Sequence, residues 1–304
     1  MTDLFCLGEP LFELNQQPDG MFLPGFGGDI SNVAIAAARQ GASSGILTRL
    51  GSDLFARDIR ALWQREGVVQ DHVIETDDKE TGLYFVTHDE DGHHFTYRRA
   101  GSAASTYGPK DLPVDALQHC KIFYASGISL AISPSMHDAV MKCARQVKNS
   151  GGLFAFDPNL RTALWPLDRA RKMTHEVMKI CDVALPGYDD AKTLTGLEQP
   201  EAIADFYHDL GASVVALTLG HKGVLLSSKE GRTSIAPHQV SAIDATGAGD
   251  CFNGAFLAAC LAGTDNIEAA TRANAAAALS VCGYGAIAAI PDLPKTLDFI
   301  KSWP

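Results

Sequence analysis

Short apolar segments alternate with amphipathic helical segments along most of this chain. The apolar segments have the length of strands, and most are followed by a glycine, a proline or a polar turn. The predicted strands are residues 4–8, 46–49, 122–126, 153–157, 183–185 and 214–219. The predicted helices are residues 31–40, 53–66, 134–149 and 166–180. A repeated strand-then-helix order predicts an α/β fold built on a parallel sheet.

One region departs from this order, because residues 82–88 and 93–99 alternate along their length as strands do. They flank Asp91-Gly92, a dipeptide typical of a two-residue β-hairpin turn. We therefore expect a small flap of strands beside the main sheet. No linker, low-complexity tract or internal repeat marks a second domain, so residues 1–304 are predicted to form one domain that carries this flap.

Charge and cysteine content narrow the classes of function. The formal net charge is −11, whereas nucleic-acid-binding proteins usually present a positive face. The seven cysteines are dispersed and never spaced as Cys-x-x-Cys, which favours free thiols in the cytoplasm over disulfides or a zinc site. The apolar stretch at 275–290 is too short and too interrupted by glycine to span a membrane. We expect a cytoplasmic protein without a nucleic-acid or membrane partner.

The segment Asp-Ala-Thr-Gly-Ala-Gly-Asp at 244–250 precedes an apolar helical run and carries the strongest functional signal. Gly247 and Gly249 let backbone N–H groups converge, and the start of the helix adds partial positive charge, so the turn suits a phosphate. A dinucleotide-binding motif would have a third glycine at position 252, which is phenylalanine. A P-loop would need Gly-Lys-Ser/Thr, which does not follow these glycines.

Asp250 places a negative charge at this anion-binding turn. That arrangement is unfavourable unless the carboxylate has a function, such as accepting the proton of an attacking hydroxyl while the amides of Gly247, Ala248 and Gly249 hold the transferred phosphoryl group. The alternative is that Asp250 only caps the helix, because Asp is common at helix N-termini. Spacing alone leaves both interpretations open.

The 244–250 segment resembles the C-terminal signature of the ribokinase-like (PfkB) carbohydrate kinases. Their N-terminal signature, a Gly-Gly pair followed by an Asn four residues later, is matched by Gly27, Gly28 and Asn32. The two motifs stand in the right order near opposite ends of the chain. The resemblance implies an α/β fold with a three-layer α/β/α core and a small β-lid contributed by residues 9–26 and 76–106. It also implies that ATP binds near the C-terminal half and that the sugar binds between sheet and lid.

Within that family the chain is most similar to the 2-keto-3-deoxygluconate kinases. The supporting segments are residues 8–11, 81–84, 97–103, 126–128 and 157–165. The resemblance implies that the sugar acid faces Gly28, Asn32, Tyr84, Arg98, Arg161 and Asp250. Strand alternation puts Thr96 and Arg98 on one face of the flap, and an arginine is a natural bidentate partner for a carboxylate.

Three alternatives accompany this interpretation. Residues 157–165 also resemble fructokinases, and Thr96 stands where related sugar-acid kinases often carry an aromatic residue two positions before the lid arginine, so the substrate stays open. A catalytically silent sugar-binding regulator is an alternative of another class, against which Asp250 and its intact glycine turn argue. Glu9 and Glu13 resemble a glycosidase carboxylate pair, but we expect them to lie on a solvated strand edge.

The family resemblance also implies ATP and Mg²⁺ as cofactors and allows a monovalent cation, K⁺. Thr218, Gly220 and Gly223 resemble the nucleotide loop, for which an ordinary hairpin turn is the alternative. Asn274 should flank the adenine, or else lie on a helix surface. Asp190 ends the segment that replaces the family's Asn-x-x-Glu motif and is the candidate metal ligand. An exposed lid edge predicts a homodimer.

Overall fold

The computed structural model describes residues 1–89 and 92–303, and of His93 the backbone only. These ranges hold two β-sheets. Their strands are β1 (Leu4–Leu7), β2 (Leu11–Gln16), β3 (Phe22–Gly27), β4 (Ser44–Gly51), β5 (Val73–Thr76), β6 (Leu83–Asp89), β7 (Gly92–Arg98), β8 (Ile122–Ser126), β9 (Leu153–Asp157), β10 (Val183–Ala184), β11 (Val214–Thr218), β12 (Val224–Ser228) and β13 (Gly231–Ile235). All six segments that we predicted as strands of the main sheet lie in it.

The helices pack around the larger sheet. They are α1 (Asp29–Arg39), α2 (Leu54–Arg65), α3 (Val114–Leu117), α4 (Gly127–Ile132), α5 (Pro134–Asn149), α6 (Leu167–Met178), α7 (Tyr188–Thr195), α8 (Pro200–Leu210), α9 (Ala248–Leu261), α10 (Asn266–Ser280) and α11 (Leu293–Ser302). Local sequence explains several starts. Asp53 caps α2 by accepting the Ala56 N–H at 2.8 Å, and Ser133 caps α5, which has proline in its first turn.

The nine strands of the larger sheet follow the order β13-β12-β11-β10-β9-β8-β1-β4-β5. From β11 to β5 the neighbouring strands run parallel, as predicted. β12 and β13 are antiparallel to their neighbours and form an edge that we did not predict. The α/β fold class is confirmed.

Both faces of the larger sheet are covered, which gives three layers. Leu4 and Cys6 of β1 belong to a buried cluster that includes residues of α1, α9 and α10. Phe5 and Leu7 point to the other face and belong to a second cluster that includes residues of α5, α6 and α8. Strand alternation therefore distributes one strand's side chains between two cores.

The smaller sheet is the lid, with the order β3-β2-β6-β7. β6 and β7 pair antiparallel with Tyr84 opposite Tyr97 and Leu83 opposite Arg98. Asp91 of the predicted hairpin turn lies outside the described residues. Because paired residues share a face, Tyr84 and Tyr97 project to one side of the lid, and Leu83 and Arg98 to the other.

In the part of the chain that the structure describes, no helix is long and apolar enough to cross a membrane.

Candidate active site

The 244–250 segment forms a turn that opens directly into α9. Gly247 has φ 74°, a left-handed conformation that glycine adopts without strain, and it is the residue before the first helical turn. Asp244 braces the turn, because its Oδ1 accepts the Thr246 N–H at 2.9 Å and its Oδ2 accepts the Gly285 N–H at 2.8 Å. The first N–H groups of a helix have no partners within it, so they point at whatever binds there.

This turn separates two cavities. The lid cavity, of about 580 Å³, is lined by Thr246, Gly247 and Asp250 on the turn side. The helix cavity, of about 370 Å³, lies between the turn, β11–β12 and α10, and is lined by Ala245, Ala248 and Gly249. Apart from its chain neighbours and the nearby backbone of α9, a Cβ at position 249 would have no protein atom within 4 Å, so there is space beside the backbone for a ligand. Ligands in the two cavities would meet at the turn.

Asp250 lies in the first turn of α9 and is held by an amide from α1. Asn32 Nδ2 donates to Asp250 Oδ2 at 2.8 Å. Burial and the nearby Asp29 carboxylate raise the pKa of Asp250 well above the ordinary value, although the Asn32 hydrogen bond opposes this. The side chain thus contacts Asn32 in the lid cavity, which is where a proton acceptor would be needed.

Further buried carboxylates surround Asp250. Asp29, at the start of α1, lines the lid cavity, and burial raises its pKa above the usual range. Asp157 ends β9 and accepts a hydrogen bond from Asn253 Nδ2 at 2.8 Å, and burial raises its pKa to about 7. Neither residue was predicted for the site, since a lone aspartate after a strand or beside Gly28 carries no distinctive spacing.

Asn159 connects two of these carboxylates. Its backbone N–H donates to Asp157 Oδ1 at 2.9 Å, and its Nδ2 lies 3.3 Å from Asp29 Oδ2. It has φ 33°, and among the described residues it is the non-glycine residue with a positive φ. Sparsely populated backbone conformations persist where surrounding contacts determine them, and they concentrate at functional sites. Asn159, with this backbone conformation, lies two positions before Arg161.

Arg161 lies in the same loop and lines the lid cavity. Half of its side chain is exposed, its Nη1 donates to its neighbour's carbonyl at Leu160 O, and the same atom lies 3.9 Å from Asp190 Oδ2. The guanidinium is therefore weakly held and can turn towards a bound anion. The structure brings Arg161 together with Gly28, Asn32, Tyr84 and Asp250, as the resemblance implied.

Arg98 lies elsewhere, which corrects our expectation for the lid. Phe95 and Tyr97 line the lid cavity, so Thr96 and Arg98 point to the opposite, exposed face of β7. Arg99, after the strand has ended, lines the cavity instead. Thr96 therefore removes no contact from the site, since the aromatic residue two positions before the cavity arginine is Tyr97.

Arg99 is paired with Glu9, which is buried rather than solvated. Glu9 is 1% exposed, and it accepts hydrogen bonds from Arg99 Nε at 2.6 Å and from Ser102 Oγ. Burial raises the pKa of Glu9, while the Arg99 charge lowers it. Our expectation of a strand-edge surface position for Glu9 was wrong, because the loop after β7 folds over it. The sequence signal was the Arg-Arg pair, of which we chose the wrong member.

Tyr84 lines the lid cavity, as the resemblance implied, and also belongs to the apolar core of the lid. It packs there with Leu11 and Val86. Its hydroxyl donates to the Glu13 carboxylate.

Gly28, with φ 91°, lies so close to the Glu9 carbonyl that a Cβ would be 2.5 Å from it, so a side chain is excluded where α1 begins.

The predicted nucleotide residues line the helix cavity. Thr218, Gly220 and Gly223 lie at the turn from β11 to β12, and Asn274 faces them from α10. The turn joins antiparallel strands, so the hairpin alternative describes its geometry, and it lines the cavity as well. Asn274 is buried and its Nδ2 donates to Ala236 O at 2.8 Å. Its amide thus also fixes the segment before the 244–250 turn.

Asp190 lies outside both cavities, in the first turn of α7. It lines an adjoining cleft that shares Thr218 and Gly220 with the helix cavity. Its Oδ2 accepts the Leu160 N–H at 2.8 Å, and burial raises its pKa. The described residues contain no group of three or more side chains suited to hold a metal. A single carboxylate still fits Mg²⁺, which is commonly bound by one or two carboxylates together with substrate phosphates.

The chain is similar to carbohydrate kinases over nearly its full length. Residues 1–293 match the pfkB family of carbohydrate kinases. A 2-dehydro-3-deoxygluconokinase of Thermoproteus tenax is 33% identical, and the alignment covers 99% of this chain and 95% of that protein. A probable fructokinase-4 of Arabidopsis thaliana is 31% identical, with 98% and 96% covered.

Solved structures show the same fold. A putative ribokinase II from E. coli, in complex with ATP and Mg²⁺, superposes with a TM-score of 0.91 at 26% identity, and both chains are covered completely. A fructokinase double mutant from Vibrio cholerae O395, bound to fructose, ADP and potassium ion, has a TM-score of 0.89 at 27% identity, with 98% of each chain covered.

Proposed function

The chain belongs to the pfkB family of carbohydrate kinases, and we propose that its sugar substrate is 2-dehydro-3-deoxygluconate, also called 2-keto-3-deoxygluconate, converted to the 6-phosphate. As a member of that family it is an ATP-dependent sugar kinase. The observation that carries the proposal is the position of the 244–250 turn between two cavities. A nucleotide in the helix cavity and a sugar in the lid cavity would meet beside Asp250.

The lid cavity supports an acidic sugar because it contains two guanidinium groups. Arg161 is weakly held and can form charge-assisted hydrogen bonds to a carboxylate that loses its water on binding. Arg99 is already paired with Glu9, so its remaining donors add to the site without adding a net charge. The chemistry thus assigns the carboxylate to Arg161 and hydroxyl contacts to Arg99.

Fructose is the second candidate. Plant fructokinases are nearly as similar to this chain as the sugar-acid kinases are, and Glu9 already neutralises one of the two arginines in the lid cavity. A silent sugar-binding regulator is disfavoured, because Asp250, Asn32 and the glycine turn are assembled as phosphoryl transfer requires.

The proposed reaction is an in-line displacement. The primary hydroxyl oxygen of the sugar forms a bond to the γ-phosphorus as the bond to the β-phosphate bridging oxygen breaks, and ADP leaves. Asp250 accepts the hydroxyl proton. The N–H of Ala248 already donates to Ala245 O at 3.2 Å, so the next N–H groups of α9, beginning with Gly249, stabilise the transferring oxygens.

Asp190 is the residue that we propose to hold Mg²⁺ together with the ATP phosphates. When bound, Mg²⁺ supplies neutralisation of the phosphate charge. The support is the position of Asp190 in the cleft beside the helix cavity, together with the E. coli structure that contains ATP and Mg²⁺.

K⁺ is proposed as a further cofactor, because the Vibrio fructokinase structure contains a potassium ion. Replacement of K⁺ by tetramethylammonium in the assay tests this proposal.

We also propose an oligomeric state and a cellular location for the enzyme. Phe22, Leu23 and Phe95 expose apolar surface on the lid, which supports a homodimer in which the lid contacts a second copy. Light scattering after size exclusion tests this, and a monomeric mass contradicts it. Seven unpaired cysteines, most of them buried, support function in the reducing cytoplasm.

The substrate test is ADP release by the wild-type protein with 2-dehydro-3-deoxygluconate or with fructose, each measured as kcat/KM. A higher value for the sugar acid supports the proposal. A higher value for fructose replaces the substrate and leaves the kinase assignment in place. Asp250→Asn is the background control, because it retains the shape of the site and lacks the base.

A further inference from the structure

Arg39, the last residue of α1, uses its guanidinium to join three separate segments. Nε and Nη2 donate to the two carboxylate oxygens of Glu66 at 2.8 and 2.9 Å. Nη1 donates to the main-chain carbonyls of Ile287 and Ile290 at 2.9 and 2.6 Å. The bidentate pair with Glu66 fixes the plane of the guanidinium, and that plane determines where the two carbonyls are held.

Those carbonyls belong to the segment 282–290, which connects α10 to α11 and has no regular secondary structure. Its other end is bound to the 244–250 turn. The N–H groups of Ile243 and Asp244 both donate to the carbonyl of Val281, the residue just before the segment, and within the segment the Gly285 N–H donates to Asp244 Oδ2 at 2.8 Å. The segment is therefore fixed to the turn at one end and to Arg39 at the other.

Between these two attachments the segment packs directly on the turn. A Cβ at position 247 would lie 2.8 Å from the Ala286 Cβ, so Ala286 forms the surface against which Gly247 rests. Ala286 also lines the lid cavity. A shift of the segment would move Gly247, and Gly247 immediately precedes the helical N–H groups that face the phosphoryl group.

We propose that Arg39 is a positioning residue for phosphoryl transfer, which holds the segment 282–290 against Gly247 and thereby aligns the N–H groups of the turn. This inference rests on the proposed role of the turn. Arg39 lines neither cavity, so its effect on the reaction passes through Ala286 and Gly247. The same helix carries Asn32, which contacts Asp250, so α1 contributes to the alignment of both base and amides.

Hydrogen-bond donors stabilise a transition state only when they are positioned to within a few tenths of an ångström. Loss of one such donor lowers kcat by about 10²- to 10³-fold. Misalignment is milder than loss, so we expect Arg39→Ala to lower kcat by about 10-fold or more. KM for ATP and for the sugar should change by less than about threefold, because these donors act mainly on the transition state.

The matched control is Arg171→Ala. Arg171 also donates to two main-chain carbonyls, of Leu194 and Thr193, but it lines neither cavity. Both variants lose an arginine that binds carbonyls, and only Arg39→Ala should lose kcat. Arg39→Lys keeps a cation and loses the fixed plane, so its kcat should lie between those of the wild type and Arg39→Ala. Methylguanidinium in the assay should raise kcat of Arg39→Ala and leave Arg171→Ala unchanged.

Hydrogen exchange of the 244–250 amides provides a reading that does not depend on activity. The proposal requires faster exchange there in Arg39→Ala, and in Arg39→Lys if the alanine variant does not fold, but not in Arg171→Ala. Unchanged exchange at 244–250, or an unchanged kcat beside a lowered Tm, overturns the inference. If the wild type phosphorylates none of the sugars, the proposed function fails, and the exchange comparison still decides the role of Arg39.

Discussion

Asn32 Nδ2 lies 2.8 Å from Asp250 Oδ2, which joins the start of α1 to the start of α9 across 218 positions of sequence. The two residues belong to the two family motifs, so the contact brings the sugar-side and phosphate-side signatures together. It also bears on the capping alternative for Asp250. The residue before α9 is Gly247, and the Asp250 carboxylate accepts its hydrogen bond from a side chain of another helix.

Asp250→Asn should lower kcat by about 100-fold or more while the binding of ATP and sugar is largely kept, because the amide cannot accept the hydroxyl proton. The same change removes a buried charge, so Tm near neutral pH should rise. Steady-state kinetics, nucleotide binding by calorimetry and thermal melts measure the three effects. Asp265→Asn, which alters an exposed helix cap at α10, is the control. Near-normal turnover of Asp250→Asn would return Asp250 to a capping role.

Asp29→Asn should shift the pH dependence of the reaction. Burial, then Asp29 from α1 and Asp157 from β9, raise the pKa of Asp250, and Asn32 and Arg161 lower it. Asp250 must be deprotonated to act as a base, so the rate falls as pH falls through its raised pKa. Removal of the Asp29 charge lowers that pKa, and the acid limb of log kcat/KM should move to lower pH. A limb that stays in place contradicts the coupling.

The stability of the same variant has a sign that can be worked out. A buried carboxyl whose folded-state pKa is raised stabilises the fold at acid pH, and this contribution is lost as pH rises from the unfolded pKa through the folded one. The Asp29→Asn variant does not lose this contribution. Its Tm should therefore exceed that of the wild type by more at about pH 8 than at about pH 5. An equal gain at both values would mean that Asp29 is already ionised in the folded protein throughout this range, which contradicts a raised folded-state pKa.

Arg99 and Arg98 are adjacent and should respond in opposite ways. Arg99→Ala leaves Glu9 buried and unpaired, which typically costs about 3 to 5 kcal/mol of folding free energy. Arg98 is exposed on the outer face of the lid, so Arg98→Ala should change the folding free energy by less than about 0.5 kcal/mol. Urea unfolding measures both. Adding Glu9→Gln to Arg99→Ala should recover part of the loss, and comparable losses in both single variants would contradict the assigned faces.

Which of the two adjacent arginines, Arg98 or Arg99, faces the cavity could not be predicted from the sequence. Alternation predicted correctly that Thr96 and Arg98 share a face, but it does not say which face covers the cavity. That depends on the pairing of β2 with β6 within the lid and on the loop that folds Arg99 over Glu9. The main strands and the glycine turn were predictable because their signals are local. Asp29, Asp157 and Asn159 were not, since their proximity is created by the sheet.

Asp190→Asn should raise the Mg²⁺ concentration needed for half-maximal rate, because the carboxylate loses its charge and keeps its shape. Asp189→Asn is the control, as it lies beside Asp190 in the same helical turn. Asp190 also accepts the Leu160 N–H, so a purely structural role would change KM for the sugar through the neighbouring Arg161. A Mg²⁺ titration of the rate distinguishes the two, since an unchanged curve with a raised sugar KM assigns Asp190 to the loop.

Arg161→Ala tests the nature of the substrate. A sugar acid loses the water around its carboxylate in the lid cavity, and Arg161 is the cavity guanidinium that is not already paired with a carboxylate at hydrogen-bond distance. Loss of one charged hydrogen bond, of about 1.5 to 3 kcal/mol, predicts that kcat/KM for 2-dehydro-3-deoxygluconate falls by roughly 10- to 100-fold. A neutral hexose such as fructose makes no such bond, and its kcat/KM should fall less. Arg171→Ala should leave both values unchanged. If Arg161→Ala reduces both substrates equally, the arginine acts on the phosphoryl group or on the fold of its loop, and the carboxylate must be sought at Arg99.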